Sequence, residues 1–249
     1  LGYYWDDNAA SAYFFFEKRV APAGGKIIKI KKIIRSKRKS IAMYINDDAA
    51  LIVRAPFSVS EKMLNKVVLK HEDRLQKMQK EVQIRNLKFN KKEFINGERF
   101  LYLGNYYHLR LVDNQEILLD FKDEFLLSKK YLSDAKNIFV IWYKKRAYET
   151  ISQRVKLYAQ KKGFKYNKIK ITNARKRWGS CSHQGNLNFT WRLIMAPLSI
   201  IDSVVLHELV HLEVKNHSKV FWNKVGSLNP EYKEHKDWLK NNGYLLRVE

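Results

Sequence analysis

The chain has 249 residues, 45% of them hydrophobic and 13% aromatic, with only 10 Gly and 4 Pro. That composition excludes a collagen, a low-complexity polymer and a wholly disordered chain, and no apolar run reaches the roughly 18–20 residues that cross a bilayer as a helix. The formal net charge of +23 excludes neither an enzyme nor a binding module, but it points to an anionic partner.

In chain order, residues 1–25 read as an extension outside the main fold, ending in a linker-like Ala21-Pro22-Ala23-Gly24-Gly25. From Lys26 to Ala55 the pattern is β, with Ile27, Ile28, Ile30, Ile33 and Ile34, then Ile41–Ile45, a turn at Asn46-Asp47-Asp48, and Ala50–Val53. Ser58 or Ser60 caps a helix whose apolar positions are Met63, Leu64, Val67, Val68, Leu75 and Met78. Asn96-Gly97 predicts a hairpin turn between strands Glu93–Ile95 and Phe100–Leu103. Tyr106–Val112 and Glu116–Phe121 predict a further strand pair.

A long basic helix is expected over 129–161, with Ile138, Val140, Ile141, Trp142, Tyr148, Val155, Leu157 and Tyr158 on its apolar side and Gly163 at its end. Lys168–Thr172 and Asn186–Met195 read as strands around the turn-rich Gly179–Gly185. Three helices follow, over about 200–214, 218–226 and 231–241. The plan is α+β: a β-rich part over 26–128 and a mostly helical part over 129–249.

The charge is concentrated. Segment 26–45 carries eight bases and no acid, and segment 129–180 carries 16 bases and 2 acids. A solvated helix face accounts for part of this. The sharper expectation is non-specific attraction of nucleic acid through 26–39 and 144–177. The single cysteine, Cys181, forms no internal disulfide and suits a reducing compartment. Asp6 and Asp7 precede the apolar stretch 9–16, where a secretory signal carries positive charge. The expected location is cytoplasmic, with no membrane partner.

His207-Glu208-Leu209-Val210-His211 is the strongest chemical signal. Residues four apart share a helix face, so two imidazoles can grip one metal ion. Glu208 lies beside that face, where a carboxylate can take a proton from water held by the metal. Ile200, Ile201, Val204, Val205, Leu206, Leu209, Val210 and Leu212 make the helix apolar almost all round. Burying three titratable groups there costs several kcal/mol unless a cation offsets it. A third ligand is needed. His217, six residues on, points some 240° away on a continuous helix, so the helix must end first. A left-handed Asn216 and a capping Ser218 supply such a bend. Glu231 and Glu234 are the rival third ligands.

The run His207-Glu208-x-x-His211, Asn216-His217-Ser218, Phe221-Trp222 and Pro230 resembles the YgjP-like metal-dependent hydrolases, relatives of the SprT-like and WLM zinc metallopeptidases. Upstream, Arg177-Trp178-Gly179-Ser180-Cys181-Ser182, Asn188, Trp191-Arg192-Leu193 and Ala196-Pro197 fit the same pattern, as do Arg35-Ser36-Lys37-Arg38 and Pro56. The likeness is most specific over 175–240. It implies a zincin-like C-terminal half packed with the β-rich half, Zn²⁺ on His207, His211 and His217, and Glu208 as general base. The histidine spacing also suits metzincins, but Val214 stands where those carry glycine.

A hydrolase also needs a donor for the developing oxyanion, and the candidates are Arg177, Arg192, His183, His235, Tyr232 and Tyr244. Trp178-Gly179-Ser180 reads as a tight strand-end turn, and Cys181 has no paired base. Strand 186–195 is a possible edge for an extended peptide. The expected function is therefore a zinc hydrolase acting on proteins or peptides. Hydrolysis of nucleotides such as nucleoside triphosphates is the alternative. A nucleic-acid-binding module with a structural zinc is a third reading, disfavoured because such a site has no use for Glu208.

Overall fold

The computed structural model describes residues 12–14, 18–20, 28–46, 48–88, 92–113, 116 and 118–248. The chain divides into two compact units, within 6–90 and 91–249. The class is α+β, as expected.

The first unit is a five-stranded sheet with two helices. Strands β3 (Ile28–Ser36) and β5 (Leu51–Pro56) are parallel neighbours, and β4 (Ala42–Ile45) pairs antiparallel with β5. Of the segment read as an extension, β1 (Ala12–Phe14) and β2 (Lys18–Val20) are described, and both pair with the long β3; most of the remainder, and Asp47 of the expected turn, lie outside the described residues. Leu51, Val53 and Ala55 alternate onto one face and are fully buried with Leu64, Val68 and Leu75. Those last three come from α1 (Glu61–Lys70) and α2 (Glu72–Lys88), which replace the single expected helix. The break falls at His71, whose non-helical φ of −113° ends α1, while Ser60 Oγ accepts the Met63 N–H at its start.

The second unit opens with β6 (Arg99–Tyr102), β7 (Asn105–Val112), β8 (Leu119–Phe121) and β9 (Phe125–Ser128), in the order β6-β7-β9-β8. Two expectations are corrected here. Glu93–Ile95 is not a strand, because the Glu98 carboxylate accepts the N–H groups of Glu93 and Phe94, taking them out of any ladder. The hairpin lies between β6 and β7 instead, around Leu103-Gly104 with φ of +49° and +85°. Their N–H groups donate to Ile194 O and Met195 O, so a distant segment holds the turn. In addition, β8 pairs with β9 and not with β7.

Gly104 is needed twice, for its positive φ and because a Cβ would stand 2.8 Å from Pro197 Cγ. Gly104→Ala should cost roughly 2–4 kcal/mol in denaturant unfolding. Gly97→Ala, with a similar φ of +81° but open space around it, should cost only about 1 kcal/mol. Equal losses would refute the close-approach argument.

A 3₁₀ segment (Lys129–Asp134) leads into α3 (Ala135–Lys162), which Gly163 ends at φ +74°. Its buried face carries Phe139, Trp142, Tyr143, Ala147, Ile151 and Val155, whereas Ile141 and Tyr148, expected on the apolar side, are exposed. Strands β10 (Ile169–Thr172), β11 (Gly179–Cys181) and β12 (Leu187–Thr190) form a sheet ordered β10-β12-β11, and 191–195 is 3₁₀ rather than strand. Helices α4 (Leu198–Val210), α5 (Lys219–Leu228) and α6 (Tyr232–Asn242) follow. One continuous core runs from Phe94 to Val248, so the strands over 99–128 share it with the helices. Within it α4 contacts α3, α5, α6 and β11, and Asp202 fastens it to α3 through a two-point ion pair with Arg154. No helix among the described residues is long and apolar enough to cross a membrane.

Candidate metal centre

Helix α4 is apolar almost all round and mostly buried, and the ion pair of Asp202 with Arg154 sets its rotation about its axis. His207 and His211 therefore open onto one side, one turn apart. The helix stops at His211, and the Val214 N–H closes back on Val210 O. Asn216 is not left-handed as expected. It bends the chain by another means: its Oδ1 accepts the Ser218 N–H at 3.2 Å, with Ser218 in extended geometry ahead of α5. The bend returns His217 to the others. Its Nε2 lies 3.1 Å from His207 Nε2 and 3.2 Å from His211 Nε2.

These two spacings match the edge of a tetrahedron around an ion about 2.0–2.1 Å from each nitrogen, roughly 3.3 Å, and all three ligand atoms lie within 4.8 Å of one another. It is the one cluster of three or more His, Cys, Asp or Glu suited to a metal among the described residues. His211 Nδ1 lies 3.0 Å from the Val214 carbonyl, an acceptor, so that nitrogen carries the hydrogen and Nε2 keeps its lone pair. Phe221, fully buried on α5, touches all three imidazoles at centroid distances of 4.9, 4.4 and 4.8 Å. Trp222 stacks on His217 at 5.5 Å. Burial in these surroundings lowers the pKa of each histidine, that of His207 to about 3, helped by His211, His217 and Lys236. Neutral imidazoles are the form that ligates a metal.

Glu208 is 1% exposed, and neither carboxylate oxygen has a hydrogen-bond partner. Gly179 of β11 covers it so closely that a Cβ there would stand 2.5 Å from Oε1. Burial pushes the carboxyl up to about 8, against the opposing charge of Arg177. A buried carboxylate without partners is costly, and a cation held by the histidines, one of which precedes Glu208 in α4, would offset that cost, so the residues present fit a divalent ion.

Without metal, two pH dependences oppose each other. Glu208 has a raised folded-state pKa, so its stabilising contribution is complete below 4.5 and lost as pH rises through about 8. His207 has a lowered one, so its contribution is complete above 6.5 and lost as pH falls toward about 3. Chelator-treated wild type should lose stability between about pH 6.5, above which the histidine contribution is constant, and about pH 8, and Glu208→Gln should not. Parallel denaturation curves across that range would contradict the assignment.

The other expected site residues separate. Arg177 is exposed and acts on Glu208 through its charge. Tyr232 stacks on Trp222 at 5.5 Å, one ring removed from His217. Tyr244 is half-buried in the 3₁₀ turn Gly243–Leu245, beside the glycine against which Trp178 packs. Arg192 is 8% exposed, donates to Asn173 O at 3.3 Å and lies over the Trp191 ring, which makes it a brace within the fold. His183 is exposed in the turn after β11, and His235 meets Asn229 and Glu231. Glu231 and Glu234 are exposed and lie outside the histidine cluster. Burial raises the Cys181 pKa, with Lys215 opposing, so the thiol stays protonated and is a poor nucleophile. The expected edge at 186–195 is corrected: β12 is paired on both sides, and β11 is an edge. Sequence reasoning missed the support of Phe221, the Val214 carbonyl and the cover of Gly179. Of these only Phe221 and Gly179 left a trace, in motifs with no evident chemistry.

Comparison with the curated proteins and with the solved structures gives no match. A model of the YgjP-like metallopeptidase domain matches residues 39–242, which takes in part of the first unit, most of the second, β11 and all three histidines. With most of its length matched, and with a histidine triad suited to a divalent metal beside a buried glutamate, the chain belongs to the YgjP-like family of metallopeptidase domains.

Proposed function

We propose that this chain is a zinc-dependent peptidase in which His207, His211 and His217 ligate Zn²⁺ through Nε2 and Glu208 is the general base. The observation that carries this reading is the conjunction of three converging imidazoles with a partnerless buried carboxylate on the residue that follows His207 in α4. Three protein ligands leave a coordination position open, which distinguishes a catalytic zinc site from a structural one. Bound there, zinc supplies Lewis acidity, acidifying a water and polarising the substrate carbonyl.

With the ion bound, Glu208 would take a proton from the attacking water on a carboxylate oxygen and give it to the departing amine. Gly179 and the surrounding core keep bulk water from the carboxylate, which raises its proton affinity. The Val214 carbonyl and Phe221 hold the imidazoles in place. Among the candidate donors to the oxyanion, Tyr232 reaches the triad's border through Trp222, and Arg177 bears by its charge on Glu208. An extended peptide would lie along β11, the edge strand that runs over Glu208.

The test is a peptide library digested by zinc-loaded protein and read by mass spectrometry. Internal cleavage that persists in Cys181→Ala is expected, since the thiol takes no part. Loss of cleavage in Cys181→Ala would replace the general-base reading with a nucleophilic one.

A further inference from the structure

The rim of the histidine triad is cationic. Lys236 follows Tyr232 by one turn of α6, and both side chains meet Trp222: Tyr232 stacks on it, and Lys236 Nζ stands 5.0 Å from its centroid. Trp222 is itself stacked on His217 and lies 5.7 Å from His207. An exposed ammonium is thus held by the ring that borders two members of the triad. Lys215 is exposed in the loop between Val214, whose carbonyl holds His211, and His217.

Neither lysine is in an ion pair among the described residues, although cations nearby are: Lys224 pairs with Glu213, and Arg154 with Asp202. Of the acids on the neighbouring α6 turn, Glu231 faces His235, and Glu234 and Asp237 form no ion pair with Lys236 among the described residues. Among the described residues no carboxylate belongs to the histidine cluster, so a divalent ion on the imidazoles would leave the site positive, and the rim adds the ammonium of Lys236. Such a field concentrates anions and repels cations.

We infer that the enzyme selects substrates carrying a carboxylate near the scissile bond, and that Lys236, together with Lys215, recognises it. This rests on the peptidase reading above. The carboxylate comes from an acidic side chain or from the free C-terminus of the substrate, and the experiment separates these sources.

Four versions of one cleavable peptide, with Glu or Gln beside the scissile bond and a free or amidated C-terminus, are compared on the zinc-loaded protein. The version bearing the recognised carboxylate should exceed its neutral twin in kcat/KM by about tenfold at low salt, and the gap should close toward about 0.5 M salt. Lys236→Gln and Lys215→Gln should narrow the preference, and Lys236→Glu should invert it. Calorimetric binding of the corresponding reduced-amide peptides to Glu208→Gln protein should rank them in the same order, independently of turnover.

The pair that shows the preference identifies its source. Equal kcat/KM and equal affinity for all four versions overturn the proposal and leave the peptidase standing. An equal loss on all four in Lys236→Glu also overturns it, by assigning Lys236 to the reaction rather than to recognition. No cleavage of any peptide by the zinc-loaded protein defeats the peptidase reading, and the proposal falls with it.

Discussion

Chelator-treated protein carrying His211→Ala should rebind zinc far more weakly than wild type. The loss should exceed the roughly 10–100-fold that follows removal of a group hydrogen-bonded to a ligand. His211 is the member of the triad most rigidly set: it is buried, its Nδ1 is tied to Val214 O, and its ring lies 4.4 Å from Phe221. Competition with a chromogenic chelator measures the affinity, and folding is checked by circular dichroism. His217→Ala should behave similarly, because its Nε2 stands as close to the other two as they require. Retention of zinc in His217→Ala, with loss in Glu231→Gln or Glu234→Gln, would move the third ligand to a carboxylate on or beside α6.

Glu208→Gln should keep zinc and fold while losing peptide hydrolysis by about 10²–10⁴-fold, the range of general-base catalysis. The amide is isosteric with the carboxylate, so it fits beneath Gly179, and it removes the basic oxygen alone. The deficit should appear in kcat, since the proton transfer belongs to the transition state and not to substrate binding. If Glu208→Gln loses zinc, Glu208 is a ligand. If it keeps full activity, another group is the base.

Much of the second unit was legible before any coordinates. The long helix, its stop at Gly163, and the three closing helices follow from a 3.6-residue period and glycine punctuation, which are local signals. What failed was non-local. The turn at Leu103-Gly104 carries a leucine at positive φ and is held by carbonyls of Ile194 and Met195, some ninety residues on. Ile141 and Tyr148 look like core residues by hydropathy, yet the face that packs is set by Ala147 and Ile151. The short β11 was hidden because Gly179-Ser180-Cys181 has little strand propensity; it is held by pairing with β12 and by contact with α4.

In the candidate site, the pair at i and i+4 is readable from spacing alone. The approach of His217 is not, because it depends on Asn216 acting through its side chain rather than its backbone conformation. The cationic rim was also invisible in sequence. Segment 181–249 is nearly balanced in charge, and the ammonium of Lys236 is brought to the triad by Trp222.

The central claim is that the triad metal and Glu208 hydrolyse peptide bonds. Its most direct test is a chelation–restoration assay on wild type, with a peptide library, an unfolded protein and nucleoside triphosphates as parallel substrates. Peptide or protein cleavage should vanish when metal is removed and return on adding one equivalent of zinc. Hydrolysis confined to nucleoside triphosphates, or peptide cleavage that survives complete removal of metal, would contradict it.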